Sequence, residues 1–117
     1  MGRRNGYMAT TLTIELSDRL RSQELTREAA IPIRIEIETA WESLEKIVLD
    51  FENLGFTSVS FLDELVGKLF MQFTKEDVIN KVQIIHLSQE DRMLLGNITN
   101  SRIRQKFTSL SLKWASS

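Results

Sequence analysis

Ile31-Pro32-Ile33-Arg34-Ile35-Glu36-Ile37-Glu38 is the stretch on which the fold turns. Its isoleucines alternate strictly with other residues, and a period of two describes a strand with one wet face. Ile33, Ile37, Trp41 and Leu44 also fall at helical spacing, and Pro32 is welcome at a first helical position. Upstream, Ser22-Gln23-Glu24-Leu25-Thr26-Arg27-Glu28-Ala29-Ala30 is rich in helix formers, with Ser22 as the expected N-cap. The residues leave both readings open. A helix, kinked or restarted at Pro32, is favoured.

Outward from this stretch the patterns are plainer. Lys46-Ile47-Val48-Leu49-Asp50-Phe51 reads as a central buried strand, and Glu52-Asn53-Leu54-Gly55 as the turn after it. Ser60 precedes the clearest helical pattern, in which Leu62, Leu65, Val66, Leu69, Phe70 and Phe73 share one face. Ser60 with Asp63 resembles a capping box, and Asp63 and Glu64 suit the positive end of the helix dipole. Val82-Gln83-Ile84-Ile85-His86-Leu87 is a second apolar strand. Ser88-Gln89-Glu90-Asp91 then starts a helix that buries Met93, Leu94, Leu95 and Ile98, and Gly96-Asn97 ends or weakens it. Near the N-terminus, Leu12, Ile14 and Leu16 alternate within a strand over residues 7–16, which Ser17 and Asp18 break. Leu110, Leu112 and Trp114 alternate in the tail, giving a final edge strand over residues 107–114 or, alternatively, a terminal helix.

This order predicts one α/β domain over residues 1–117, with its core at about residues 8–106. A four- to five-stranded, mostly parallel or mixed sheet would be covered by three to four helices. Binding surfaces in such sheets lie outside the carboxyl ends of the strands.

Bulk composition narrows the function classes. The 117 residues are 42% hydrophobic and 26% charged, a globular balance. Fifteen basic against 16 acidic residues argue against a dedicated nucleic-acid binder. Without cysteine there is neither a disulfide framework nor a thiolate metal site, and His86 is the single histidine, so no metal or other cofactor is expected. No apolar run follows Arg3 and Arg4 as a signal peptide would require, and none is long enough to span a membrane. The expected location is the cytoplasm, with no membrane partner.

Ile47-Val48-Leu49-Asp50-Phe51-Glu52-Asn53-Leu54, followed by Ser60-Phe61-Leu62-Asp63-Glu64-Leu65, resembles the STAS-like domain of unknown function. The likeness is specific over residues 45–70 and looser from Ser22 to Leu95. It implies a small STAS-like sandwich, and a helix before the central strand, which decides for the helical reading of residues 33–44. The family is related to anti-sigma-factor antagonists, which bind an ATPase-type serine kinase and are switched off by phosphorylation. By resemblance, therefore, the partner is a histidine-kinase-like ATPase or anti-sigma factor. In the antagonists an aspartate-serine pair carries the switch. Counted from Asp50, that pair falls on Ser58 and Val59, so the acceptor position is lost, although Ser58 and Ser60 flank it as candidate phosphorylation sites.

The expected partner-binding residues are Asn53, Ser58, Ser60, Asp63 and Glu64, together with the exposed side of the helix from Phe61. No catalytic residue is expected. Two other classes compete. Arg92, Arg102, Arg104 and Lys106 form a C-terminal basic face for nucleic acid, and a hydrolase or transferase would be centred on His86, Asp50 and Asp63. An edge strand at either end of the sheet could support a homodimer.

Overall fold

Three short runs with apolar residues at alternate positions build the sheet of the computed structural model, which describes residues 10–21 and 23–115. Strands β1 (Thr11–Glu15), β2 (Lys46–Asp50) and β3 (Val82–Ile85) are parallel, in the order β1-β2-β3. Register sets Leu12 beside Ile47 and Val82, and Ile14 beside Leu49 and Ile84, so one face carries a continuous apolar row. Thr13, Val48 and Gln83 share the opposite face with Glu15, Asp50 and Ile85, and Thr13, Glu15 and Gln83 are exposed there. β2 is therefore central, as its sequence predicts, but buried on one face only. The polar side chains at the outward positions leave little for a second layer to cover.

Helices α1 (Leu16–Leu20), α2 (Arg27–Thr39), α3 (Val59–Leu62), α4 (Leu69–Gln72), α5 (Lys75–Lys81) and α6 (Gln89–Ala115) complete the chain. A π turn, Asp63–Gly67, joins α3 to α4 in one run, so the fold has three strands among the described residues and about five helices. Both counts differ from the expected four to five strands and three to four helices. Leu16, expected in the first strand, opens α1 instead. The N-cap expected at Ser22 and the strand residues 7–9 lie outside the described residues.

Thr26 caps α2 by accepting a hydrogen bond from the Ala29 amide at 3.2 Å, and Glu28 sits in the positively polarised first turn. The helix does not restart at Pro32, which lies inside it. Pro32 cannot donate to the Glu28 carbonyl, but both residues are exposed, so that carbonyl can turn to water. Ala30, Ile33 and Ile37 are buried while Ile35 is 49% exposed, which is helical spacing and not alternation. Trp41, buried just beyond the helix, stacks on Phe73 with ring centroids 3.9 Å apart, and Lys81 donates to the Trp41 carbonyl at 2.6 Å.

α6 corrects the reading of the last third. The helix passes through Gly96-Asn97 and on through residues 107–115, which decides for the terminal helix over the final edge strand that the alternation there favours. Its docked face is Asp91, Leu95, Ile98 and Arg102, which leaves Met93 67% exposed. Arg102 bonds Asp63, and Lys106 donates to the Phe73 carbonyl at 3.1 Å, so polar contacts one helical turn apart hold this segment in register as a helix. No helix among the described residues is long and apolar enough to cross a membrane.

Candidate functional site

The carboxyl ends of β2 and β3 meet in a rim of strained turns. Asn53 and His86 both have φ 61° and Gly55 has φ 87°. Glycine tolerates this left-handed region and asparagine visits it, but for His86 it costs about 1 kcal/mol and needs outside support. Asp50 supplies that support. Its Oδ1 lies 2.8 Å from His86 Nδ1 and accepts the Glu52 amide at 2.9 Å. The hydrogen bond with His86 holds the Asp50 carboxyl below its ordinary range, helped by the Glu52 amide, and the same bond raises the imidazole. Ligand atoms of Asp50, Glu52 and His86 lie within 4.8 Å of one another, close enough to share a divalent cation, although hydrogen bonding already explains the Asp50–His86 contact. Between the two turns opens a cleft of about 280 Å³ lined by Phe51, Leu54, Phe56, His86 and Asp91. Phe56 projects from its lip, 91% exposed.

Beneath the rim lies a buried ionic cluster on the π turn, where the Lys68 amide bonds the Asp63 carbonyl five residues back at 2.9 Å. Asp63 is 8% and Glu64 1% exposed. Glu64 Oε1 accepts from Arg27 at 3.0 Å and lies 2.9 Å from Lys68 Nζ, while Oε2 accepts from Arg34 Nη2 at 2.8 Å. Asp63 accepts from Arg102 Nε at 2.7 Å and from Arg27 at 3.1 Å. Arg34 also forms an ion pair with Glu38 at 2.8 Å. Burial pushes the Glu64 carboxyl up, but hydrogen bonds from Lys68, Arg34 and Arg27 outweigh it and hold it at about 2. Arg102, against burial and with help from Arg27, lowers Asp63. Gly67 makes this packing possible, since a Cβ there would meet Asp63 Oδ1 at 2.5 Å and Ile98 Cγ2 at 2.9 Å.

The five residues expected to contact a partner thus divide. Asn53 and Ser60 are exposed, and Ser58 is half-buried. Ser58, not Ser60, caps α3: its Oγ accepts from the Phe61 amide at 3.1 Å and donates to the Leu25 carbonyl at 3.0 Å. No capping box forms, because Asp63 lies beyond the first turn. Asp63 and Glu64 point into the protein, and residues 61–67 are all buried, so the run has no exposed side between Phe61 and Gly67. The physical cause is position: the run packs between α2 and α6.

The competing classes are redrawn in the same way. His86 and Asp50 do meet, but Asp63 is taken up by Arg27 and Arg102. Of the four basic residues expected to form the nucleic-acid face, Arg102 and Lys106 are engaged inside the fold, leaving Arg92 and Arg104 exposed. Phe56 escaped the sequence reading because a lone aromatic after Gly55 has no periodicity to mark it. Lys68 was legible as the residue four after Glu64, whereas Arg27 and Arg102 reach the cluster only through the tertiary fold.

No curated protein and no solved structure matches the chain. The family model of the STAS-like domain of unknown function does match, over residues 29–92, which take in most of α2, β2, the rim, β3 and, of the ionic cluster, Arg34, Asp63, Glu64 and Lys68 but not Arg27 or Arg102. The chain, whose parallel strands present a strained rim above a helix anchored by Asp63 and Glu64, belongs to that STAS-like family.

Proposed function

We propose that the chain is a non-catalytic regulatory module that docks a protein partner on the loop between β2 and α3. The observation that carries this reading is Phe56, 91% exposed directly after left-handed Gly55 and the turn at Asn53, which the Leu54 amide closes on the Phe51 carbonyl at 3.2 Å. Aromatic anchors dominate protein interfaces, and solvent gives such a side chain no reward for being there. Asn53, Ser60 and Val59, itself 54% exposed, flank it. A competent interface needs roughly 800 Å² on each partner, which this rim and its surroundings can supply. Asp63 and Glu64 serve this surface from below, by fixing the helix start that carries Val59 and Ser60.

By family relationship the partner is a histidine-kinase-like ATPase of the anti-sigma type. Val59 stands at the usual acceptor position and the Ser58 hydroxyl is engaged in capping, so docking here is independent of a phospho-switch. Ser60 is the neighbouring hydroxyl open to a kinase.

Capture of the tagged full chain from its native cells, beside a Phe56→Ala variant, tests the reading. An ATPase should be recovered by the wild-type chain and lost with the variant, whose circular dichroism stays unchanged. Intact mass of the same bait reports any added phosphate, and its loss in a Ser60→Ala bait assigns it to Ser60. Equal recovery by both proteins, or recovery of nucleic acid alone, would overturn the proposal.

A further inference from the structure

β3 ends the sheet, and among the described residues no strand pairs with its outer side. The Phe51 amide donates to the Ile85 carbonyl at 3.0 Å, so Ile85 turns its backbone toward β2 and, by alternation, Ile84 turns its N–H and C=O outward. β3 is short, but Val82-Gln83-Ile84-Ile85 has no charge, proline or bulge, devices that usually blunt an edge. Beside it runs an apolar groove of about 300 Å³ between α5 and α6, lined by Val66, Phe70, Val78, Ile79, Ile84 and Leu95. Ile79 stands 59% exposed in it. The one charged residue lining the groove is Arg92, exposed and without an ion-pair partner among the described residues.

We propose that the outer edge of β3 takes an extended segment of a protein partner as an added strand, with apolar side chains in the groove and a carboxylate facing Arg92. Backbone pairing with Ile84 would supply affinity, and the alternate side chains of the incoming strand would supply specificity. Charge complementarity favours such a partner over a second copy of this chain, whose own β3 offers Arg92 no acid. The surface is separate from the Phe56 rim, so either proposal can stand without the other.

The probe is an eight-residue peptide alternating valine and threonine with one central aspartate, added to the ¹⁵N-labelled full chain. Exchange of the Ile84 amide should be fast in the free protein and slow roughly tenfold with peptide, since only the added strand protects it. Resonances of Ile79 and Leu95 should shift. Replacing the peptide's aspartate with lysine should weaken binding about two- to fivefold, as for an exposed ion pair, and Arg92→Glu should reverse the preference. Ile79→Asp, at an exposed position, should keep the fold and lose the peptide. Four results would each overturn the proposal: an Ile84 amide already protected in the free monomer, protection that rises with protein concentration alone, shifts confined to the Phe56 loop, or no binding at millimolar peptide.

Discussion

Replacing Glu64 with glutamine keeps the shape of the side chain and removes the charge that Arg27, Arg34 and Lys68 share. The carboxyl is held at about 2 against an ordinary 4.5. At about 1.4 kcal/mol per unit, the ionised form contributes on the order of 3 kcal/mol to folding. Because Glu64 is 1% exposed, solvent screening takes little from that figure. It also sits at the lower end of the roughly 3–5 kcal/mol lost when a buried ion pair is broken. The lower end is expected here, since Arg27 keeps Asp63, Arg34 keeps Glu38, and Lys68 can turn to water. The pH dependence follows from the sign of the shift. A depressed carboxyl stabilises fully above its unfolded value and loses that contribution as pH falls toward its folded one. Urea unfolding followed by circular dichroism should therefore separate wild type from Glu64→Gln by about 3 kcal/mol at pH 7, with more than half of the gap gone by about pH 3. A gap below about 1 kcal/mol at neutral pH, or one that does not change with acid, would refute the argument that Glu64 is a buried, charge-neutralised anchor.

Gly67→Ala should destabilise by about 2 kcal/mol in the same assay, because the new methyl group meets the Asp63 carboxylate and Ile98; a neutral effect would mean that the π turn has slack. Ser58→Ala should cost about 1 kcal/mol and Ser60→Ala almost nothing, which separates the observed cap from the one the sequence predicts. In an NMR titration His86 should hold its proton above the ordinary histidine range and return to it in Asp50→Asn, and an unmoved midpoint would break the inferred link between the two turns. The same proton ties the rim to pH: the Asp50–His86 contact is strongest below the unfolded histidine value and weakens as pH rises through the folded one.

Much of the architecture could be read one segment at a time, because it rests on local periodicity. Alternation of Leu12 and Ile14 and the compact apolar runs at residues 46–51 and 82–87 marked three strands, although the burial of just one face in each came from the register. The spacing of Ile33, Ile37 and Trp41 set a helix, and the family resemblance settled its competition with a strand. Tertiary structure decided what periodicity cannot encode. Alternation at Leu110, Leu112 and Trp114 reads as a strand, yet the preceding turns are held as a helix by Arg102 on Asp63 and Lys106 on Phe73, partners 39 and 33 residues away. Asp63 and Glu64 look like surface charges at a helix start until α2 and α6 close over them and supply the guanidinium groups that make their burial affordable. Phe56 carries no pattern at all, and its exposure is a property of the turns around it. Local spacing fixes which side of an element is apolar; only long-range packing fixes which charges are neutralised inside and which aromatic is left in water.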